Sequence, residues 1–424
     1  MTKVFSRGGF YLFLICFSLL PLSFTMLGPI LFAVYLICIV FSILISVRDG
    51  GWKHAVAGGA VFVYIAIYVF FGIYSIILSN VDHELIFKDS VGFCFYPIYF
   101  SLVALMVNGK INRYEWERFL IVLGVAVSIF HLVAYFAFYK IFDVLTFDTI
   151  TLANTTLKDI GTASKYAASA GILRVDSGLG SLLIIPVLIL LRNIIIKKFT
   201  VLYFLIIITL VLGIFIEGHR ALSIAVLVGA FLYVLWMIVV TKNLAKVFYA
   251  LVGLLLMMCS CMIIATAIYG EDLIMALERF TDLTSEGIDD DRLEQIPALI
   301  DKILEAPILG NGFGSNATII RNEERPFLYE MDYLAIFMKL GIFGGITYFS
   351  AYIYILYLSV KTGQVDNQKM VYFFSGISFF VFAGTNGGMA MSVGSTLFQL
   401  YLMVGLSVEY YSVNQEDLCK TNFI

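Results

Sequence analysis

Apolar runs of about 20 residues recur along this sequence from end to end, each long enough to cross a ~30 Å hydrocarbon core as a helix. No hydrophilic stretch between them is large enough for a separate soluble domain. The composition agrees: 13% of residues are charged and 61% hydrophobic, with a mean hydropathy of +0.96, where a soluble chain carries roughly 25% charged residues. A cytosolic enzyme, a nucleic-acid binder and a secreted module are excluded.

Reading the runs between charged interruptions gives twelve spans, at 9–27, 29–47, 55–78, 91–107, 119–139, 177–191, 199–216, 221–240, 247–268, 331–360, 370–388 and 393–411. The tenth is long enough to be tilted or to begin above the membrane surface. The expected fold is all-α, one polytopic helical bundle over 1–424. Lys and Arg concentrate in cytoplasmic loops. One side collects Lys3, Arg7, Arg48, Lys53, Lys110, Arg113, Arg118, Arg192, Lys197, Lys198, Lys242, Lys246, Lys361, Lys369 and Lys420, while the short loops opposite hold only Lys88 and Arg220. Both termini are therefore expected in the cytoplasm. Two long loops, 140–176 and 270–326, are expected outside. Five of the six cysteines lie in apolar runs and the sixth is Cys419, with neither disulfide nor metal spacing. The first apolar stretch runs on to Leu27 without a small-residue cleavage site, which reads as a retained span.

Against this background four charged or glycine-rich segments stand out. Glu217-Gly218-His219-Arg220 is squeezed between two spans with almost no loop. Ionisable groups at that depth are functional candidates, and arginine suits phosphate because its planar fork donates bidentate hydrogen bonds. The alternative is a tight turn in which Glu217 and Arg220 neutralise each other. Arg174-Val175-Asp176-Ser177-Gly178-Leu179-Gly180-Ser181 returns the first long loop to the membrane, and its small residues let backbone amides approach an anion; a common Gly/Ser-rich loop end is the plainer reading.

In the large loop, Asp289-Asp290-Asp291-Arg292 precedes an apolar stripe of Leu293, Ile296, Ile300 and Ile303. The stripe predicts an amphipathic helix at the membrane surface, capped by the aspartates, for which a metal site is the less favoured alternative. Glu305-Ala306-Pro307 ends it, and Gly310-Asn311-Gly312-Phe313-Gly314 reads as a flexible return. At the tenth span, Glu330 and Asp332 sit at the interface, where desolvation can raise a carboxylate into the range of a base. Lys339 lies two turns below Asp332 on the same face, so an ion pair between them is an equal alternative. Gly341, Gly344 and Gly345 follow as helix-packing positions.

The order of these pieces resembles the O-antigen polymerase and ligase superfamily. The matching residues are Arg174 with Gly178, Gly218 with Arg220, Arg292, Pro307-Ile308-Leu309-Gly310-Asn311-Gly312, and Glu330 ahead of Leu334 and Gly341. The resemblance covers roughly residues 170–350. It implies a GT-C-like membrane architecture in the bacterial inner membrane, with 140–176 and 270–326 as periplasmic loops. It implies transfer of oligosaccharide from an undecaprenyl-diphosphate carrier, without a metal or other cofactor and without nucleic acid. Besides the lipid-linked oligosaccharide and the bilayer, a chain-length regulator is a candidate partner. Arg220 and Arg292 would stabilise the departing diphosphate and Glu330 would be the base, while Arg174, His219 and Asp332 would bind substrate. Glu330 occupies the position where ligases carry histidine, which favours a polymerase over a ligase. A lipid-linked sugar flippase is the rival from another class, since twelve spans suit it too, but charge within the spans is nearly absent apart from Lys339 and no halves repeat.

Overall fold

The computed structural model describes residues 54–78, 81–109, 111–136, 163–166, 173–176, 179–196, 200–217, 220–241, 289–320, 326–329, 331–363, 370–385 and 393–421. The expected spans 9–27, 29–47 and 247–268 lie outside these residues. Apart from one short ribbon, the described elements are helical. Among the described residues four helices are long and apolar enough to cross a membrane, at Gly58–Ile77, Arg113–Val133, Ala221–Val240 and Asp332–Lys361, and Gly180–Ile196, Val201–Glu217, Met370–Gly384 and Gly394–Val408 are shorter apolar helices. The chain divides into two compact units.

The first unit takes residues 113–283 together with 1–37 and 366–378. Its described elements, in a numbering that runs through both units, are α4 (Arg113–Phe136), β1 (Ala163–Tyr166), β2 (Leu173–Asp176), α5 (Ile184–Ile196), α6 (Val201–Glu217) and α7 (Arg220–Thr241). Helix α4 packs along α6 and α5, and His131 Nδ1 meets the Gly213 carbonyl at 3.2 Å. The helix begins at Arg113, earlier than the expected span at 119, because its charged first turns are paired inside the protein. Glu117 accepts from Arg192 at 2.6 and 2.5 Å and from Arg113 Nε at 2.9 Å. All three thus lie within the fold although the sequence reading assigned both arginines to cytoplasmic loops. The first long loop holds a two-stranded antiparallel ribbon, β1 with β2, whose backbone register pairs position 165 with 174 and 164 with 175.

The second unit takes residues 38–112, 284–365 and 379–424. It contains α1 (Gly58–Leu78), α2 (His83–Ser90), α3 (Ile98–Gly109), α8 (Asp289–Glu305), α9 (Asp332–Gly363) and α11 (Val393–Thr421); α10 (Met370–Thr385) runs from one unit into the other. Asp82 caps α2 by accepting from the Glu84 amide at 3.0 Å, which satisfies one of the open first-turn donors. The expected span 91–107 is broken: a 3₁₀ turn, Val91–Phe95, precedes α3. Pro97 lies at the join and cannot donate, and the turn closes instead through the Tyr96 amide on the Phe93 carbonyl at 3.3 Å. The segment is buried, with Phe93, Tyr96 and Tyr99 fully enclosed. Tyr64 stacks on Tyr96 at 4.3 Å, the Tyr96 hydroxyl donates to Gln399 at 2.9 Å, and the Tyr99 and Ser407 hydroxyls are 2.7 Å apart.

Helix α9 is two helices end to end. Gly341 interrupts it with φ 64° and ψ −174°, leaving Asp332–Leu340 as a first piece and Ile342–Gly363 as a membrane-length second piece. Backbone freed at such a break must find partners inside the protein, and the loop after α8 supplies them. The Asn311 and Gly312 amides donate to the Met338 and Lys339 carbonyls at 2.9 Å each, and the Ile342 and Phe343 amides donate to the Pro307 and Ile308 carbonyls at 2.9 and 3.2 Å.

Candidate functional site

In the first unit the return from the long loop is built around a glycine and a buried carboxylate. Strand β2, which carries Arg174, packs against α4 and α6. The chain then enters a 3₁₀ turn, Gly180–Leu183, that runs into α5. Glu217, the last residue of α6, is buried and its Oε1 accepts from the Gly180 amide at 2.9 Å. Helix α7 opens at Arg220. Two of the expected site residues, Arg174 and Arg220, are therefore held on elements that adjoin the same helix, α6. For both, the backbone is described; His219 lies outside the described residues.

In the second unit α8 runs as expected from Asp289 to Glu305, with Arg292 in its first turn. The face it buries differs from the stripe read in the sequence: Gln295, Ala298 and Leu299 are buried, whereas Ile300 is 42% exposed. Ala298 and Leu299, with Ile303 beside them, pack on Ala317, Tyr329, Ala335 and Met338. A second apolar row of Ile300, Leu304 and Ile308 remains exposed, the latter two at 68% and 70%. In water that row would be a liability; at a membrane surface it is a lipid-facing side.

The segment Gly310–Gly314, expected as a flexible return, is fastened at almost every residue. Asn311 Nδ2 donates to the Lys302 carbonyl at 2.8 Å, which serves the last turn of α8. Tyr74 donates to the Gly310 carbonyl at 3.0 Å, Ser75 Oγ receives the Phe313 amide at 2.7 Å, and Asp89 Oδ2 receives the Gly314 amide at 2.7 Å. Gly310, Gly312, Gly314 and Gly341 all have positive φ, at 72°, 84°, 77° and 64°, which explains why glycine recurs here.

Lys339 pairs with Asp89, Nζ to Oδ1 at 2.8 Å, and both side chains are buried. An ion pair, one of the two alternatives for Lys339, is formed, but with a different partner from Asp332: the carboxylate comes from α2, far away in sequence. The Lys339 ammonium also lies 5.4 Å from the centre of the Phe327 ring. Burial pushes the Asp89 carboxyl above its ordinary range, and the Lys339 charge and the Gly314 amide pull it back. Nearby, Tyr329 is buried and its hydroxyl accepts from the Ala317 amide at 2.6 Å; burial raises the phenol. Asp332, the first residue of α9, is buried, and α8 with Arg292 packs on this helix. Glu330 lies outside the described residues. Among the described residues no group of three His, Cys, Asp or Glu side chains gathers to hold a metal.

Sequence reasoning missed Asp89 and the pair Glu117–Arg192. A signal for the first existed, since a lysine inside an apolar run demands a counter-ion, but nothing local says which carboxylate supplies it.

No curated protein matches the chain. Residues 203–349 match the family model described as O-Antigen ligase, a stretch that holds Arg220, Arg292, Glu330 and Asp332 and leaves out Arg174. With the apolar helices, the match supports a multi-pass membrane protein of O-antigen ligase or polymerase type, in a glycosyl-transfer enzyme class. Over residues 203–349 the chain is similar to the O-Antigen ligase family, and the resemblance to the O-antigen polymerase and ligase superfamily drawn from its motifs is shown.

Proposed function

We propose that this chain is a polysaccharide polymerase, joining oligosaccharide repeats carried on undecaprenyl diphosphate at the periplasmic face of the bacterial inner membrane, with both termini in the cytoplasm. The observation that carries the reading is the match over 203–349, combined with glutamate at 330 where the ligases of the resemblance carry histidine.

The donor sugar already bears a diphosphate on its anomeric carbon, so no nucleotide is needed. An acceptor hydroxyl attacks that carbon, the carbon–oxygen bond to the diphosphate breaks, and undecaprenyl diphosphate leaves with the electron pair. Charge grows on the departing oxygen, and a guanidinium placed there contributes several kcal/mol in a site screened from water. Arg220 and Arg292 take this role, with Arg174, His219 and Asp332 in substrate binding. Glu330 accepts the proton released by the acceptor hydroxyl. The scheme uses no metal.

A ligase is the second reading, favoured by the description of the matching family itself. Deleting the gene and running surface polysaccharide on a gel separates the cases. Core carrying a single repeat means polymerase; bare core with lipid-linked polymer accumulating means ligase; loss of all exported repeats means a flippase. Restoring the gene with Arg220→Ala or Arg292→Ala should fail to restore polymer while the protein is inserted, and wild-type chain lengths from both variants would remove the arginine roles.

A further inference from the structure

We propose that Glu217 is a positioning residue: through its hydrogen bond to the Gly180 amide it ties the return that follows Arg174 to the end of α6, three residues before Arg220. This deepens the reading above and rests on it, since it concerns how those two arginines are set toward the diphosphate.

Glu217 stands where a carboxylate is least comfortable. It is the last residue of α6, at the helix end where the backbone dipole opposes negative charge, and it is buried, which penalises the ionised form further. Its Oε1 accepts from the Gly180 amide at 2.9 Å, a donor at the start of a helical turn that has no partner within the turn. The fit is close enough to require glycine: a Cβ at position 180 would lie 1.3 Å from Glu217 Oε2. A side chain at position 180 therefore cannot be accommodated without displacing Glu217.

The contact sits between the two arginines along the chain. Arg220 follows Glu217 by three residues and opens α7; Arg174 precedes Gly180 by six and lies in β2, which packs on α6. Losing the bond frees the α6 end and the start of the 3₁₀ turn to shift against each other, and each carries its arginine with it. A clamp for a diphosphate depends on such placement, because a misplacement of about 1 Å can cost a hundredfold.

The test uses the full-length protein purified in detergent, with undecaprenyl diphosphate as the bound species and undecaprenyl monophosphate as the comparison, alongside a thermal unfolding curve for each variant. Glu217→Ala should bind the diphosphate at least tenfold more weakly, with a smaller loss for the monophosphate. Glu217→Gln, whose amide oxygen accepts the same bond, should stay within about threefold of wild type. Glu217→Asp, which keeps the charge but withdraws it by one methylene, should weaken diphosphate binding as Ala does and covers the case in which Ala does not fold. Unchanged diphosphate affinity in both Ala and Asp variants, whatever their melting temperature, would overturn the proposal. Arg220→Ala separates this from the functional reading: if it binds diphosphate as wild type does, the diphosphate role of Arg220 fails; if it loses binding while Glu217→Ala and Glu217→Asp keep it, only the positioning role fails.

Discussion

Replacing Lys339 by methionine is the sharpest perturbation of the second unit. The lysine is buried, 2.8 Å from Asp89 Oδ1, and Met keeps most of its apolar stem. After Lys339→Met the Asp89 carboxylate stays buried with the Gly314 amide on its other oxygen, but without its counter-charge. Removing one partner of a buried pair costs about 3–5 kcal/mol, whereas replacing both by neutral groups costs far less. Asn at position 89 can still accept the Gly314 bond, so the double variant Asp89→Asn/Lys339→Met should be about as stable as wild type, or lower by about 1–2 kcal/mol for an imperfectly satisfied amide. The coupling between the two sites should then exceed about 2 kcal/mol. Chemical denaturation of the four proteins in mixed micelles, followed by tryptophan fluorescence, measures it. Because Asp89 also holds Gly314, Lys339→Met should lower polymer formation as the loop after α8 loosens. A single variant within about 0.5 kcal/mol of wild type, or strictly additive effects, would refute the view that this pair fastens the Gly310–Gly314 segment.

Gly341→Ala should destabilise by more than about 2 kcal/mol in the same assay, because φ is 64° there and the new Cβ would lie 2.3 Å from the Ile308 carbonyl; a stability equal to wild type would deny the helix break. Glu117→Ala leaves Arg192 and Arg113 buried together without their shared carboxylate, so inserted protein should fall sharply on a membrane blot, by an amount equivalent to about 3–5 kcal/mol, and unchanged levels would contradict the pairing. Arg292→Lys should lose polymer if bidentate geometry is required, while full-length chains from that variant would reduce the requirement to positive charge. A cysteine at Asp301, an exposed polar position of α8, should react with an impermeant label added from outside the cell; reaction from the cytoplasmic side alone would overturn the topology.

The spans were legible because lipid leaves a chain few options. The helices found at Gly58–Ile77, Ala221–Val240 and Asp332–Lys361 fall within a few residues of the apolar runs read directly. What pattern could not convey is which apolar side faces protein. On a soluble helix polar residues mark the outside, but Ile300 and Leu304 of α8 are exposed while Ala298 and Leu299 are buried, and hydrophobicity is common to both sides when lipid is one neighbour. Breaks were equally hidden: Pro97 and Gly341 interrupt runs that read as continuous, and the partners that satisfy the freed backbone come from distant loops. Ion pairs were missed for the same reason, Asp89 and Lys339 being 250 residues apart. Of the candidate site, the sequence placed Arg220 and Arg292 at the openings of helices, where the structure has them, and Asp332 at the mouth of α9. It marked Glu217 as part of a charged cluster without giving it a role, and gave no hint of the contact with Gly180.

The most direct measurement is reconstitution. The purified chain in proteoliposomes, supplied only with an undecaprenyl-diphosphate-linked repeat unit, should yield a ladder of lipid-linked products at multiples of the repeat and release undecaprenyl diphosphate in proportion to the bonds formed. A preparation that makes no ladder, yet transfers a single unit or a preformed polymer to added lipid A core, would contradict polymerisation and establish the ligase reading in its place.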